Sequence, residues 1–435
     1  MGNLPEFGRD LLGFFTDCAR RYGDVVSVRL GAWPALLLNH PEHFEYVLVE
    51  NSRNFIKHTF FWRHVSDIFG RGLVTNEGAP WLRQRRLMQP AFHRERVAGY
   101  GATMVEYAER MLDVWDAEGV PTRDVHRDMM QLTMEIATKT LFGADLSEGA
   151  AAEVGAAFDG AVEEIARRFR RPLKIPPWIP LPSNRRYTRA VARIDRLVYD
   201  FVEQKRRNRG EGGHDLLSML MAARDEDGSA MDEKQIRDEA VTIFLAGHET
   251  TAIALAWTFY LLGLHPEAEA RLAREIGAVL GDRPPQTADL ARLPFLSHVV
   301  TESMRLYPPA YAFGREAVAA CEIGGYPVPA GTTIFLSPWV VHRDQRWFDD
   351  PLAFRPERWE NDLAKKLPRF AYLPFGGGPR MCIGNSFALM EAALVLASVV
   401  RRYRLAPRPG RSVQPFPSIT LRPRDGTPMT VTRRR

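Results

Sequence analysis

The chain has 435 residues, of which 45% are hydrophobic, 10% aromatic and 26% charged, an ordinary globular composition that excludes a disordered, fibrous or collagen-like protein. Length alone allows roughly two to four domains, or one unusually large one. Lys plus Arg at 58 against Asp plus Glu at 53 leaves a net +5, enough for a basic docking patch but too small an excess for a dedicated nucleic-acid binder.

The N-terminus offers only short apolar stretches such as Leu11 to Phe15, followed at once by charge, so neither a signal h-region nor a spanning anchor is expected there. Val26, Val28 and Leu30 alternate, Leu36 to Leu38 follow, and the intervening Gly-Ala-Trp-Pro reads as the turn of an early β-hairpin. From about residue 80 to 315 apolar residues recur at three and four, with breaks at Gly119 to Pro121, Pro172 to Pro182 and Gly210 to Gly213, which predicts a large helical body. One helix within it is unusually long. Asp232 with Gln235 makes a capping-box-like start and His265-Pro266 a stop, about 32 residues or some 48 Å apart along the axis.

Ala240 to Leu264 is apolar enough to mimic a membrane span, but His248, Glu249, Thr250 and Thr251 sit in its middle, where ionisable groups in lipid would be costly. A buried central helix fits better. Four polar residues beside Gly247 also predict a local distortion, because Thr hydroxyls compete for the i−4 carbonyl. Gly324 to Leu336 then shifts to β-branched, Gly and Pro punctuation, and strand-like alternation returns near Ile419 to Leu421 and Met429 to Val431.

The most specific segment is FGGGPRMCIG, Phe375 to Gly384, which runs into the apolar helix pattern Ser386 to Val400. Cys382 thus precedes a helix N-terminus, where backbone N–H groups and the helix dipole favour thiolate over thiol. Three glycines let backbone approach something flat or bulky, and Pro379 stiffens the turn. Together these describe a cysteine held as an anionic ligand. The alternative, a small buried hydrophobe, is kept for Cys18 and Cys321, whose scatter along the chain rules out a disulfide framework or a Cys-x-x-Cys site and suits a reducing compartment. A phosphate cradle fails for want of a following Lys-Ser/Thr, and a zinc H-E-x-x-H site at His248 fails because residue 252 is Ala.

FGGGPRMCIG resembles the haem-binding signature of the cytochrome P-450 superfamily. Glu302 to Arg305 matches that family's E-x-x-R, 80 residues before Cys382, and FRPERW at Phe354 to Trp359 resembles the segment that supplies a third charged partner, here Arg358. AGHETT, Ala246 to Thr251, resembles its oxygen-activation groove, and Trp81 with Arg85 its W-x-x-x-R. The resemblance spans nearly the whole chain.

What it implies is a mainly α fold with a smaller β subdomain (α+β), one haem domain over residues 1–435, with the long central helix across the haem. Cys382 becomes the proximal iron ligand of haem b, iron protoporphyrin IX. Ala246, Phe375, Gly376 and Gly384 border the cofactor, and Trp81, Arg85, Arg315 and Arg380 are candidate clamps for its propionates. Glu249 as acid and Thr250 as alcohol form the proton relay, while the E-x-x-R triad braces the cysteine loop. His248 tunes the pocket or packs.

The implied activity is that of a monooxygenase inserting one atom of O2 into a hydrophobic substrate such as a terpenoid, fatty acid, steroid or macrolide. Aromatic-rich stretches at His58 to Gly70, Pro308 to Gly314 and Pro415 to Ile419 are expected to line its pocket. Because the sequence ends at RRR, electrons from NAD(P)H are expected through a separate ferredoxin or flavodoxin with its reductase. That partner would be steered by Lys365, Lys366, Arg369, Arg380, Arg401 and Arg402. A peroxide-dependent or isomerising enzyme of the same fold would not need the Glu249-Thr250 pair, and a haem sensor or carrier would need no relay. The location expected is cytoplasmic, with no transmembrane segment and no nucleic-acid partner.

Overall fold

The computed structural model describes residues 2–31, 33–57, 69–144, 155, 160, 164, 179, 181–207 and 215–434. The expected hairpin is β1 (Val25–Leu30) and β2 (Trp33–Leu38), paired antiparallel from Val25↔Leu38 to Leu30↔Trp33. The connection is tighter than the sequence suggested. Gly31 turns at φ 66°, and Trp33 and Pro34 already belong to β2.

The sheet is completed by β3 (Phe55–Ile56), β4 (Phe313–Ala317) and β5 (Thr333–Leu336), in the order β1-β2-β5-β4-β3. Parallel pairing of Leu36 with Ile334 joins the first fifty residues to a segment nearly three hundred residues later. Both faces are covered: Leu36 and Leu38 enter one apolar cluster, and Ala35 and Leu37, pointing the other way, enter another.

Six helices position the site: α1 (Gly78–Met88), α2 (Gly101–Glu118), α3 (Val125–Ala137), α4 (Glu233–Leu264), α5 (Pro294–Leu306) and α6 (Asn385–Arg402). They share one large core cluster. α4 begins as expected, with Asp232 Oδ1 accepting from Gln235 N at 2.7 Å, and ends at His265. It is long and apolar enough to cross a bilayer, yet 83% of its most apolar window is buried by the rest of the protein. It is also helical throughout. The distortion expected at Gly247 is confined to side chains, because the Thr250 and Thr251 hydroxyls bond the Ala246 and Gly247 carbonyls without breaking the helix.

The first turns of α4 anchor the loop that leads into α1. Asp238 Oδ2 accepts from Arg71 N at 2.8 Å, and Glu239 Oε2 from Leu73 N at 2.9 Å. Gly72 needs to be glycine here, since a Cβ would lie 2.1 Å from the Thr242 hydroxyl. Burial pushes the Glu239 carboxyl up to about 8. At its other end α4 receives the C-terminal hairpin of Pro415–Pro417 and Leu421–Pro423: Trp257 Nε1 donates to Leu421 O at 2.9 Å, and Tyr311 Oη to Ser418 O at 2.6 Å.

Glu302 and Arg305, one turn apart on α5, are fully buried and paired bidentately at 2.8 Å for both bonds. The Glu302 carboxylate also accepts from Arg358 Nε and Trp359 Nε1, each at 2.8 Å, and from Arg355 N at 2.9 Å. These cations and donors offset burial and hold its carboxyl below the usual carboxylate range. Arg305 donates onward to the carbonyls of His342 and Pro351, each at 2.7 Å. His342 Nε2 in turn accepts from Leu373 N at 3.0 Å, two residues before Phe375, and so links the buried pair to the cysteine loop. Removing the carboxylate takes the counter-charge from two buried guanidinium groups, so Glu302→Ala is expected to cost about 3–5 kcal/mol in chemical denaturation.

Candidate active site around Cys382

Each of the three consecutive glycines of the cysteine loop answers a local constraint. Gly376 and Gly378 have φ of 70° and 66°, a region that L-residues with a side chain rarely adopt. A Cβ on Gly378 would sit 1.8 Å from the Leu48 carbonyl oxygen, and one on Gly377 2.1 Å from the Phe370 ring. The sequence suggested that these glycines make room for a flat group. Gly377 and Gly378 also make room for protein, while Phe375, Gly376 and Gly377 line the cavity that this tight packing frames.

The loop folds back so that Cys382 N donates to Phe375 O at 3.0 Å, and α6 starts three residues later with Gly384 as its N-cap. The sulfur opens onto the cavity and is otherwise enclosed by protein. Burial raises the thiol above its ordinary value, opposed by the Gly384 N–H, Arg85 and Lys57. The helix N-terminus therefore does not by itself make the thiolate that the sequence suggested. A cation bound at the sulfur would complete the deprotonation.

The cavity measures about 1440 Å³, beyond the roughly 300–1,000 Å³ of ordinary single-ligand pockets, and so can hold a large planar group and a second molecule. Trp81, Arg85, Arg315 and Arg380, expected as anion clamps, all line it. So does Lys57, which sequence reasoning missed. The Arg380 guanidinium lies 3.9 Å over the Trp81 ring, donates to Asn76 O at 2.9 Å and pairs with Glu77. Arg85 donates to Met381 O at 3.0 Å, tying α1 to the cysteine loop. Arg315 donates to Gly314 O at 2.8 Å.

These cations crowd one another. Burial and the neighbouring Arg315 and Arg380 push the Lys57 ammonium down to about 7, and burial with Arg380 pushes Arg315 down to about 10. Glu77 opposes both shifts. Among the described residues these like charges share the Glu77 carboxylate, and an anion in the cavity would relieve their repulsion. No local pattern marks Lys57, because it reaches this wall through the pairing of β3 with β4, which brings residues 55–56 beside residues 316–317.

The opposite contribution comes from α4, whose Ala246, Gly247, Thr250 and Thr251 line the same cavity as Cys382. Thr250 donates to Ala246 O at 2.8 Å. Glu249 departs from the expected pairing. It is 4% exposed and does not line the cavity, and its Oε1 accepts from Thr420 Oγ1 and Arg422 Nε, both at 2.7 Å. The acid adjacent in sequence to Thr250 is thus turned toward the C-terminal hairpin, because neighbouring helical residues project about 100° apart. His248 packs: Nδ1 lies 2.7 Å from Phe244 O, and its ring lies beside that of Phe244.

Of the three expected pocket segments, Pro415 to Ile419 lines the cavity throughout and Pro308 to Gly314 does so from Pro309 onward. In the third, Phe60, Phe61 and Trp62 lie outside the described residues. Apart from Lys366, the basic group expected around the cysteine is ion-paired. Arg401 and Arg402 bond Glu109 and Asp113 of α2, Arg369 pairs with Glu45, Lys365 with Asp362, and Arg380 is turned inward to Glu77. Among the described residues no cluster of three or more His, Cys, Asp or Glu side chains is suited to a metal ion, which leaves a single sulfur as the candidate ligand.

A sequence profile described as cytochrome P-450 matches residues 1–427. The chain belongs to the cytochrome P-450 family. It is 39% identical to cyclooctatin synthase of Streptomyces melanosporofaciens over 427 residues, covering 97% of this chain and 92% of that protein. Cyclooctat-9-en-7-ol 5-monooxygenase of the same organism is 40% identical over 392 residues, 90% of this chain and 84% of the relative. Pentalenene oxygenase of Streptomyces avermitilis is 36% identical over 421 residues, 97% and 92%. The protein is accordingly an oxygen-incorporating haem enzyme, using haem b, O2 and electrons delivered from NAD(P)H by a redox partner. The site fits that cofactor: one sulfur faces a cavity large enough for a porphyrin, and Lys57, Arg85, Arg315 and Arg380 line its wall with the positive charge that propionates require.

Proposed function

We propose that this cytochrome P-450 hydroxylates or epoxidises a polycyclic terpenoid, with Cys382 as proximal ligand and Thr250 as a proton-handling group. The observation that carries this reading is that Cys382 and the Ala246 to Thr251 stretch of α4 border one cavity whose remaining walls are largely apolar. Once bound, the haem supplies the oxygen chemistry, in which O2, two electrons and two protons yield one inserted oxygen atom and one water.

The chain's own residues do the rest. Cys382 presents its sulfur within hydrogen-bonding reach of the Gly384 N–H, which tempers the electron density it donates. Trp81, Arg85, Arg315, Arg380 and Lys57 supply the anion-binding wall. Ala246, without a long side chain, leaves space at α4. With its hydrogen on Ala246 O, Thr250 offers oxygen lone pairs that orient a proton-bearing group in the cavity. Tyr311, Phe313, Phe416 and Ile419 give an apolar wall that favours a hydrocarbon skeleton over a charged metabolite. The relatives whose names specify pentalenene and cyclooctat-9-en-7-ol support the terpenoid class. Lining residues from Leu4 to Arg424 support one haem domain. Three free cysteines support a reducing, cytoplasmic location.

For the electron donor we propose a ferredoxin or flavodoxin. Leu82 of α1, Met381 of the cysteine loop and Leu389 of α6 are exposed apolar side chains on the three elements that surround the sulfur, and support a docking face there. Electrostatic steering is left to a smaller share than the sequence suggested, since most nearby cations are paired.

Three measurements test these assignments. Cys382→Ser is expected to abolish the red-shifted Soret band of the reduced carbon-monoxide complex, and an unchanged spectrum would require another ligand. Thr250→Ala is expected to divert reducing equivalents to hydrogen peroxide while a terpenoid still shifts the ferric Soret band; preserved coupling would remove Thr250 from proton handling. Met381→Glu with Leu389→Glu is expected to lower ferredoxin-supported turnover about tenfold with reduction by dithionite unchanged, and equal losses in both assays would move the docking face elsewhere.

A further inference from the structure

The C-terminal hairpin is poorly equipped to hold its own shape. Pro415, Pro417 and Pro423 make up half of its strand residues and donate no ladder hydrogen bond. A two-stranded ribbon is marginal by itself even with a full ladder. Its backbone is instead tied from outside, by Trp257 and Tyr311 on the Leu421 and Ser418 carbonyls and by Leu421 N donating to Pro309 O at 3.0 Å. Two of its side chains are gathered by one oxygen of α4. Glu249 Oε1 accepts from Thr420 Oγ1 and Arg422 Nε, both at 2.7 Å, and lies 2.6 Å from Arg422 Nη2. Glu249 and Thr420 are buried, so these contacts are little screened by salt.

The same hairpin is a wall of the cavity. Phe416, Pro417, Ser418 and Ile419 line it together with Thr250 of α4. Phe416 is the cross-strand partner of Arg422, so the residue that Glu249 holds lies directly beside one that a substrate meets. Glu249 and Thr250 are consecutive in a continuous helix. One stretch of α4 therefore carries both the hydroxyl on the cavity and the carboxylate that sets where the hairpin wall stands. A buried, hydrogen-bonded ion pair contributes little net stability, and fixing a register is the role to which it is best suited.

We propose that Glu249 is a positioning and specificity-determining residue: it latches the C-terminal hairpin to α4 and fixes where the wall from Phe416 to Ile419 holds a terpenoid relative to Thr250. The inference rests on the terpenoid-oxidising reading above. Glu249 does not line the cavity and acts through Thr420 and Arg422. An apolar wall offers a hydrocarbon no directional bond, so its position selects which carbon of the skeleton is presented. Loosening the latch moves the wall and presents another.

The test uses the haem-loaded protein with Glu249→Gln, Arg422→Met, their double variant and the conservative Arg422→Lys. The probes are a panel of bicyclic and tricyclic sesquiterpenes led by (+)-valencene. In resting protein, hydrogen–deuterium exchange over residues 413–422 should be about tenfold or more faster in Glu249→Gln and Arg422→Met, with the cysteine loop unchanged. In turnover both should give the same altered ratio of oxidised regioisomers, and the double variant should match either alone. Arg422→Lys should restore most of the wild-type ratio, and the solvent isotope effect should stay at the wild-type value throughout. Exchange and product ratio within twofold of wild type in Arg422→Met would overturn the latch. So would a solvent isotope effect raised by Glu249→Gln and not by Arg422→Met, which would make Glu249 a proton donor instead. If Glu249→Gln fails to fold, Arg422→Met and Arg422→Lys decide the question from the hairpin side. Exchange is read without turnover, whereas a panel left unoxidised by wild type sinks the terpenoid reading, so the two failures are distinguishable.

Discussion

The carboxylate of Glu302 is the constraint on which the cysteine loop depends. Buried without solvent, it is held by Arg305, Arg358, Trp359 and the Arg355 amide, and without it the two guanidinium groups would keep carbonyl partners but lose their counter-charge. The same guanidinium that binds Glu302 reaches the His342 carbonyl, and His342 reaches the Leu373 amide. A polar network in the interior thereby sets the path of the chain as it enters the cysteine loop. Gly377 and Gly378 then press that path against Phe370 and Leu48 so closely that a side chain would displace it. The sulfur is presented by a rigid surround, as an axial ligand requires.

Around the cavity the protein stores unfavourable electrostatics for a purpose. Lys57, Arg315 and Arg380 are gathered near one carboxylate, Glu77, and the first two are depressed by burial and mutual repulsion. A dianionic cofactor edge held there would relieve that repulsion and gain affinity from it. The thiol, raised by its own burial, is likewise at odds with its surroundings until a metal ion binds. Both features make cofactor binding part of the folding free energy of this chain.

The central helix illustrates how a polar stretch survives in a core. Thr250 and Thr251 satisfy themselves on carbonyls one turn back, His248 bonds Phe244 O, and Glu249 reaches the hairpin. Each residue of AGHETT faces a different neighbour. A motif that reads as a unit is therefore divided in space, with Thr250 and Thr251 on the cavity and Glu249 on the C-terminal hairpin.

Much of this was legible in the residues themselves. The cap and stop of the long helix, the β-hairpin, the cysteine ahead of a helix and the E-x-x-R pair are set by local rules of backbone conformation and spacing, and they appear at the expected positions. Local rules could not say that Lys57 joins the cofactor wall, that Arg401 and Arg402 are spent on Glu109 and Asp113, or that Glu249 turns away from Thr250. Those outcomes depend on sheet pairing and helix packing between segments up to nearly three hundred residues apart, as when β2 lies against β5. The direction a side chain faces, and the partner it meets there, are properties of the packed interior, so tertiary structure decided which acids and cations share the cavity with Cys382.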